Sequence, residues 1–149
     1  MNKNKLLNVA MVALPALGLM AASTPTAVMV FDPSDSTTVY CSYFDLIEGY
    51  EWAVILPLAG LFCGVCLSLA SIQCFVKSEK WLRGIAVVAF LSMTLAVLPI
   101  MMKGQRVILP NVVLPITMLI QTLLAVFNRG KLRTWNENKS KGPRLNEKN

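Results

Sequence analysis

Histidine is absent from this 149-residue chain, and charge is scarce: Asp, Glu, Lys and Arg make up 15% of it, against about a quarter in ordinary globular chains. The side chain that most often serves as metal ligand and as base near neutral pH is therefore missing. The chain has no P-loop, no metal-ligand pair and no nucleophile elbow, so no catalytic constellation is expected. No cofactor is expected either. Charge is also missing in a patterned way, because the runs 6–31, 53–76, 84–102 and 107–128 contain no charged residue at all. Proton-coupled pumps, ion-coupled transporters and voltage sensors place ionisable groups inside the membrane. Small multidrug exporters likewise depend on an embedded carboxylate, and nothing in these runs provides one.

What the chain does have is apolar residues, 55% of the total, with a mean hydropathy of +0.57. A soluble domain of this size has too small a core to bury four such runs, so a secreted scaffold, a disordered tail and a nucleic-acid module are excluded. Each run reaches the roughly 20 residues a helix needs to cross a bilayer. A membrane barrel would instead show ~10-residue segments of alternating polarity. The expected fold class is all-α: a polytopic membrane protein whose four transmembrane helices, about 6–31, 53–76, 84–102 and 107–128, pack as a bundle within residues 1–128. An outer loop, 32–52, and a basic, largely disordered cytoplasmic tail, 129–149, complete the layout.

Orientation follows the basic residues, which favour the cytoplasmic side. Lys3 and Lys5, then Lys77, Lys80 and Arg83, then the tail from Arg129 are rich in them; the outer loop has Asp32, Asp35, Asp45, Glu48 and Glu51 and no Lys or Arg. Four spans put the two termini on the same side, and the charge pattern makes that side the cytoplasm. Residues 1–23 also have the layout of a secretory signal. Pro25 close behind the small residues Ala21, Ala22 and Ser23 argues for retention of the first helix.

Prolines mark where the helices should be irregular. Pro15 and Pro25 remove donors from the first run, which should kink or end near Thr24. Pro115, beyond Pro110 and Asn111, marks either a simple kink in the fourth helix or a local unwinding of the kind that forms transporter substrate sites. The kink is favoured; unwinding would suit a component of a transporter for an uncharged solute.

Gly60, Gly64 and Ser68 recur every fourth residue, flanked by Ala59 and Cys63. Small residues let helices approach closely in lipid, so Ala59, Gly60, Cys63, Gly64 and Ser68 form the candidate packing face, with the second helix as hub. This face serves the bundle itself, a second copy of the chain or another membrane protein. Cys63 and Cys66 also spell C-x-x-C, the spacing of a redox pair, which raises a membrane thiol oxidoreductase as an alternative function. Cys63 lies ten residues inside the second run, ~15 Å deep at 1.5 Å per residue, with no basic activator nearby. Packing is the preferred role for both thiols.

The outer loop holds all three tyrosines, and Tyr40, Tyr43, Phe44, Asp45, Tyr50 and Trp52 are its candidate anchor or interaction residues. Aromatic rings of this kind seat at the membrane interface or meet a partner. The segment Ser42-Tyr43-Phe44-Asp45-Leu46, followed by Gly49-Tyr50 and an apolar helix, resembles the pattern in small uncharacterised four-span membrane proteins of Firmicutes. The specific match covers 42–50 and the general layout most of the chain. It implies a bacterial cytoplasmic membrane and brings no activity with it. Glu51-Trp52 after the Gly-Tyr departs from the pattern. The expectation is a non-catalytic scaffold or accessory subunit whose partners are the lipid bilayer and another membrane protein or a second copy, with no nucleic acid.

Overall fold

The computed structural model describes residues 3–32, 36–45, 54–101, 105–106 and 109–141. Four helices, α1 (Lys3–Ser23), α2 (Ile55–Phe75), α3 (Glu79–Met101) and α4 (Leu109–Lys141), pack in a ring in which α1 touches both α2 and α4, and α3 touches both α2 and α4. Each is long and apolar enough to cross a membrane. The chain is thus a multi-pass, four-helix membrane bundle. Its most extensive packing is of α3 against α4 and α2, so α3, and not α2, is the hub.

The first run is the main correction to the expected spans. Its helix stops at Ser23, and residues 28–32 are a strand. Pro25 disfavours helical geometry at Thr24, and the hydroxyls of Ser23 and Thr24 fold back onto the carbonyls of Leu19 and Ala21, at 2.9 and 2.8 Å. Beyond the proline come β-branched and aromatic residues suited to a sheet. Strand β1 (Val28–Asp32) pairs antiparallel with β2 (Thr37–Cys41), Val28 opposite Cys41 and Asp32 opposite Thr37. The hairpin turns through Ser36, which has a left-handed φ of 55°. A two-residue strand, β3 (Gln105–Arg106), joins the other side of β1 from the α3–α4 connection. The expected outer loop and the short 103–106 turn are therefore linked in one small sheet that caps one end of the bundle.

The opposite end gathers the start of α1, the α2–α3 connection and the last turns of α4, so both terminal helices point their free ends the same way. The tail also differs from expectation, since α4 continues to Lys141 where 129–149 was expected to be largely disordered. Lys, Arg and Glu are good helix formers, and Leu132 still packs against the core, which carries the helix beyond its apolar span.

The seams between helices keep the 3-4 alternation of left-handed bundles. On α2 the buried residues are Leu56, Ala59, Gly60, Cys63, Cys66, Ala70 and Gln73. On α3 they are Leu82, Ile85, Ala89, Ser92 and Ala96. A row stepping by four advances about 40° around a helix at each step, whereas alternating three and four drifts by only about 10°. The Gly60-Gly64-Ser68 row accordingly turns out of the interface: Gly60 is buried, Gly64 half-buried and Ser68 exposed.

Candidate functional site

Three places bring together residues that sequence alone singles out or overlooks: the buried polar contacts at mid-bundle, the capped end and the open end.

At mid-bundle, Pro15 has no N–H to offer the carbonyl of Met11, one turn earlier. Gln121 of α4 supplies the missing donor, its Nε2 lying 2.9 Å from Met11 O. Cys63 donates to the carbonyl of Pro15 itself at 3.2 Å, and Ser92 of α3 donates to Ala59 O of α2 at 2.8 Å. An unpaired polar group is costly in lipid, so these contacts both fasten the helices and remove that cost. Gln121 has 0% exposure, and its Oε1 accepts no hydrogen bond. Cys66 lies beside it on α2. Cys63 and Cys66 are free thiols with no solvent exposure.

The proposed packing face thus divides. Ala59 and Cys63 are buried, Ala59 meeting α3 through its carbonyl and Cys63 meeting α1 through its thiol. Gly60 is used differently: a methyl group there would lie 2.6 Å from Cζ of Phe44, so the small residue makes room for the ring of the outer segment. A methyl at Gly64 would meet nothing within 4 Å, and Ser68 is exposed, so within the chain neither lies at a close helix contact. A close helix approach at Gly18 is one that sequence reading missed. A methyl at Gly18 of α1 would lie 2.7 Å from Thr117 Oγ1 and 3.2 Å from Leu114 Cδ1 of α4, and 3.4 Å from Cys63 Sγ of α2. The signal for it is slight, one glycine in a run with no matching row. The fourth helix is continuous through Pro115, so the unwinding considered there does not occur; the side chain of Asn111 lies outside the described residues.

At the capped end, Tyr43 is completely buried and its backbone N–H donates to Ala22 O at 2.9 Å, satisfying a carbonyl left over at the end of α1. Burial holds its hydroxyl well above the usual range. The Cys41 thiol is pushed up to about 11 by burial and by the Asp45 carboxylate, so it stays protonated and unreactive at neutral pH. Asp45 Oδ2 takes the Ser42 N–H at 2.6 Å, and Phe44 N–H donates to Ser42 Oγ at 3.2 Å. Ser42 to Asp45 is therefore a braced turn. Of the expected anchor residues, Tyr43 and Phe44 seat the segment on α1 and α2. Tyr40 is exposed on β2 and Asp45 is exposed in the turn. Tyr50 and Trp52 lie outside the described residues.

At the open end, Glu79 at the start of α3 pairs with Arg83 at 3.0 Å and with Arg129 of α4 at 2.9 Å. A cavity of about 560 Å³ opens beside these pairs, between the ends of all four helices. Among the described residues no group of His, Cys, Asp and Glu is placed to hold a metal ion. No protein-family model, curated protein or solved structure matches the chain.

Proposed function

We propose that the chain is a non-catalytic integral protein of a bacterial cytoplasmic membrane, with both termini inside, acting as a scaffold or accessory subunit that meets a membrane partner through its capped end. The observation that carries this reading is how the buried polar groups are used. Gln121, Ser92 and Cys63 reach the bundle interior and each donates to a backbone carbonyl of a neighbouring helix. Groups so engaged build a fixed frame and leave no acid, base or exposed nucleophile at mid-membrane. The side chains offered to a partner lie instead on the hairpin, where Thr38 and Tyr40 are exposed on a strand that leads into the turn seated on α1 and α2 by Tyr43 and Phe44. Exposed tyrosine on a rigid support suits an interface. The acidic hairpin and the basic opposite end support the proposed orientation.

A photo-crosslinking amino acid placed at Thr38 or Tyr40 in living cells tests this. A discrete protein adduct is expected there, whereas the same probe at Leu119 or Leu123, exposed on α4, should yield lipid adducts. The adduct should persist in the Cys63→Ser, Cys66→Ser double variant. Its absence at both hairpin positions contradicts the scaffold role, and its loss in the double variant favours thiol chemistry instead.

A further inference from the structure

The cavity at the open end has two kinds of wall. Leu7, Met11, Leu82 and Leu132 give it apolar walls, and Gln73, Lys77 and Lys131 line the same space; the Lys131 ammonium rests 6.0 Å from the centre of the Phe127 ring. Gln73 is only 8% exposed. Its Oε1 accepts the Ser78 N–H at 3.4 Å, and among the described residues no acceptor takes its amide N–H groups. That amide nitrogen is not sealed off: Gln73 lines the cavity, where its N–H groups are open to a ligand. Glu79 is already paired with two arginines, while among the described residues neither Lys77 nor Lys131 has a carboxylate within ion-pair distance. The rim therefore carries unneutralised positive charge.

From the same end a second, apolar groove of about 350 Å³ runs along α1 and is lined by Val9, Val12, Ala13, Ala16 and, from α2, Cys74. Asn8 lines both spaces. The groove follows α1 for about 12 Å at 1.5 Å per residue, on the α1–α2 seam, the least closely packed of the four. A polar, positively charged chamber thus adjoins an apolar groove at Asn8, whose backbone carbonyl accepts the Cys74 thiol at 3.9 Å. We infer that this joint site holds one anionic phospholipid, its phosphate at Lys77, Lys131 and the Gln73 amide and an acyl chain along the α1–α2 groove. Basic pockets between membrane helices recognise lipid headgroups in this way. A free phosphate would use the donors and leave the groove without a role.

Native mass spectrometry of the full chain in detergent, titrated with phosphatidylglycerol, phosphatidylcholine or inorganic phosphate, tests the assignment. One phosphatidylglycerol should be retained per chain in preference to phosphatidylcholine. Lys77→Gln with Lys131→Gln should weaken its retention about thirtyfold, two lysines each being worth about a factor of five. Lys80→Gln with Arg133→Gln removes the same charge from residues that do not line the cavity and should leave retention unchanged. Ala13→Phe fills the groove, and it should weaken binding of a long-chain phosphatidylglycerol while leaving a six-carbon-chain analogue unaffected. Thermal unfolding confirms that each variant is folded. Equal retention of the two lipids, equal loss in both lysine pairs, or displacement of the lipid by inorganic phosphate overturns the inference.

Discussion

The two ends of the bundle are built on opposite plans. At the capped end a three-stranded sheet closes over the helices, the ring of Phe44 fills the space above Gly60, and the Tyr43 N–H takes up the Ala22 carbonyl at the end of α1. At the other end the helices separate around a cavity of about 560 Å³, where one ion pair at half-exposed side chains, Glu79–Arg129, joins α3 to α4 and the Asn128 amide donates to Met11 Sδ of α1 at 3.2 Å. Surface ion pairs contribute ~0–1 kcal/mol, whereas close apolar packing and satisfied backbone groups contribute more. Stability in this chain therefore concentrates toward the sheet, and freedom to accept a ligand concentrates at the end that carries the termini.

Substitutions at matched positions sharpen or break that contrast. Gly18→Leu, at the close approach of α1 to α4, should have the largest effect, an overpacking loss at the upper end of about 1–3 kcal/mol, read as reversible unfolding in mixed micelles. Gln121→Leu should come next, because it leaves Met11 O without a donor. Interhelical hydrogen bonds in membranes average ~0.6 kcal/mol with a maximum near ~1.7, and the upper value is expected where a proline has already removed the alternative. A loss no greater than that of Ser92→Ala, expected near the ~0.6 kcal/mol average, would break the link between Pro15 and Gln121. Gly60→Ala should loosen the seat of Phe44 and raise protease cleavage within 42–45, while Gly64→Ala on the same helix should leave cleavage unchanged and stabilise α2 by up to about 1 kcal/mol. Glu79→Gln, at the open end, should change stability by less than about 1 kcal/mol, and high salt should erase the difference.

Much of this architecture was legible in the residues. The four uncharged runs identify four helices because burying them in lipid outweighs any local preference. Pro25 marks the end of α1 because a missing donor and a steric clash act locally. The sheet was not legible, since Val28 to Phe31 continue an apolar run and only pairing with residues 37–41 and 105–106, far along the chain, makes them a strand. The Gly60-Gly64-Ser68 row misled for a geometric reason: a fourfold step suits a right-handed crossing of two helices, while the ring here keeps a 3-4 seam. Cys63 and Cys66 belong to that seam, at 63 and 66 between Ala59 and Ala70. Pro15 and Gln121 were each visible, but nothing in the sequence joins a carbonyl at Met11 to an amide 110 residues later. The cavity was equally hidden, because Gln73, Lys77 and Lys131 come from helix ends that meet only in three dimensions.

The central claim is that the capped end and the open end face opposite sides of one membrane. Single cysteines at Thr38, Ser78 and Thr134, in a chain whose Cys41, Cys63, Cys66 and Cys74 are replaced by alanine, test it most directly with a membrane-impermeant maleimide on intact cells. Thr38→Cys should label from outside, and Ser78→Cys and Thr134→Cys should label only after the membrane is opened. Labelling of Thr38→Cys together with either of the other two from the same side would contradict the claim.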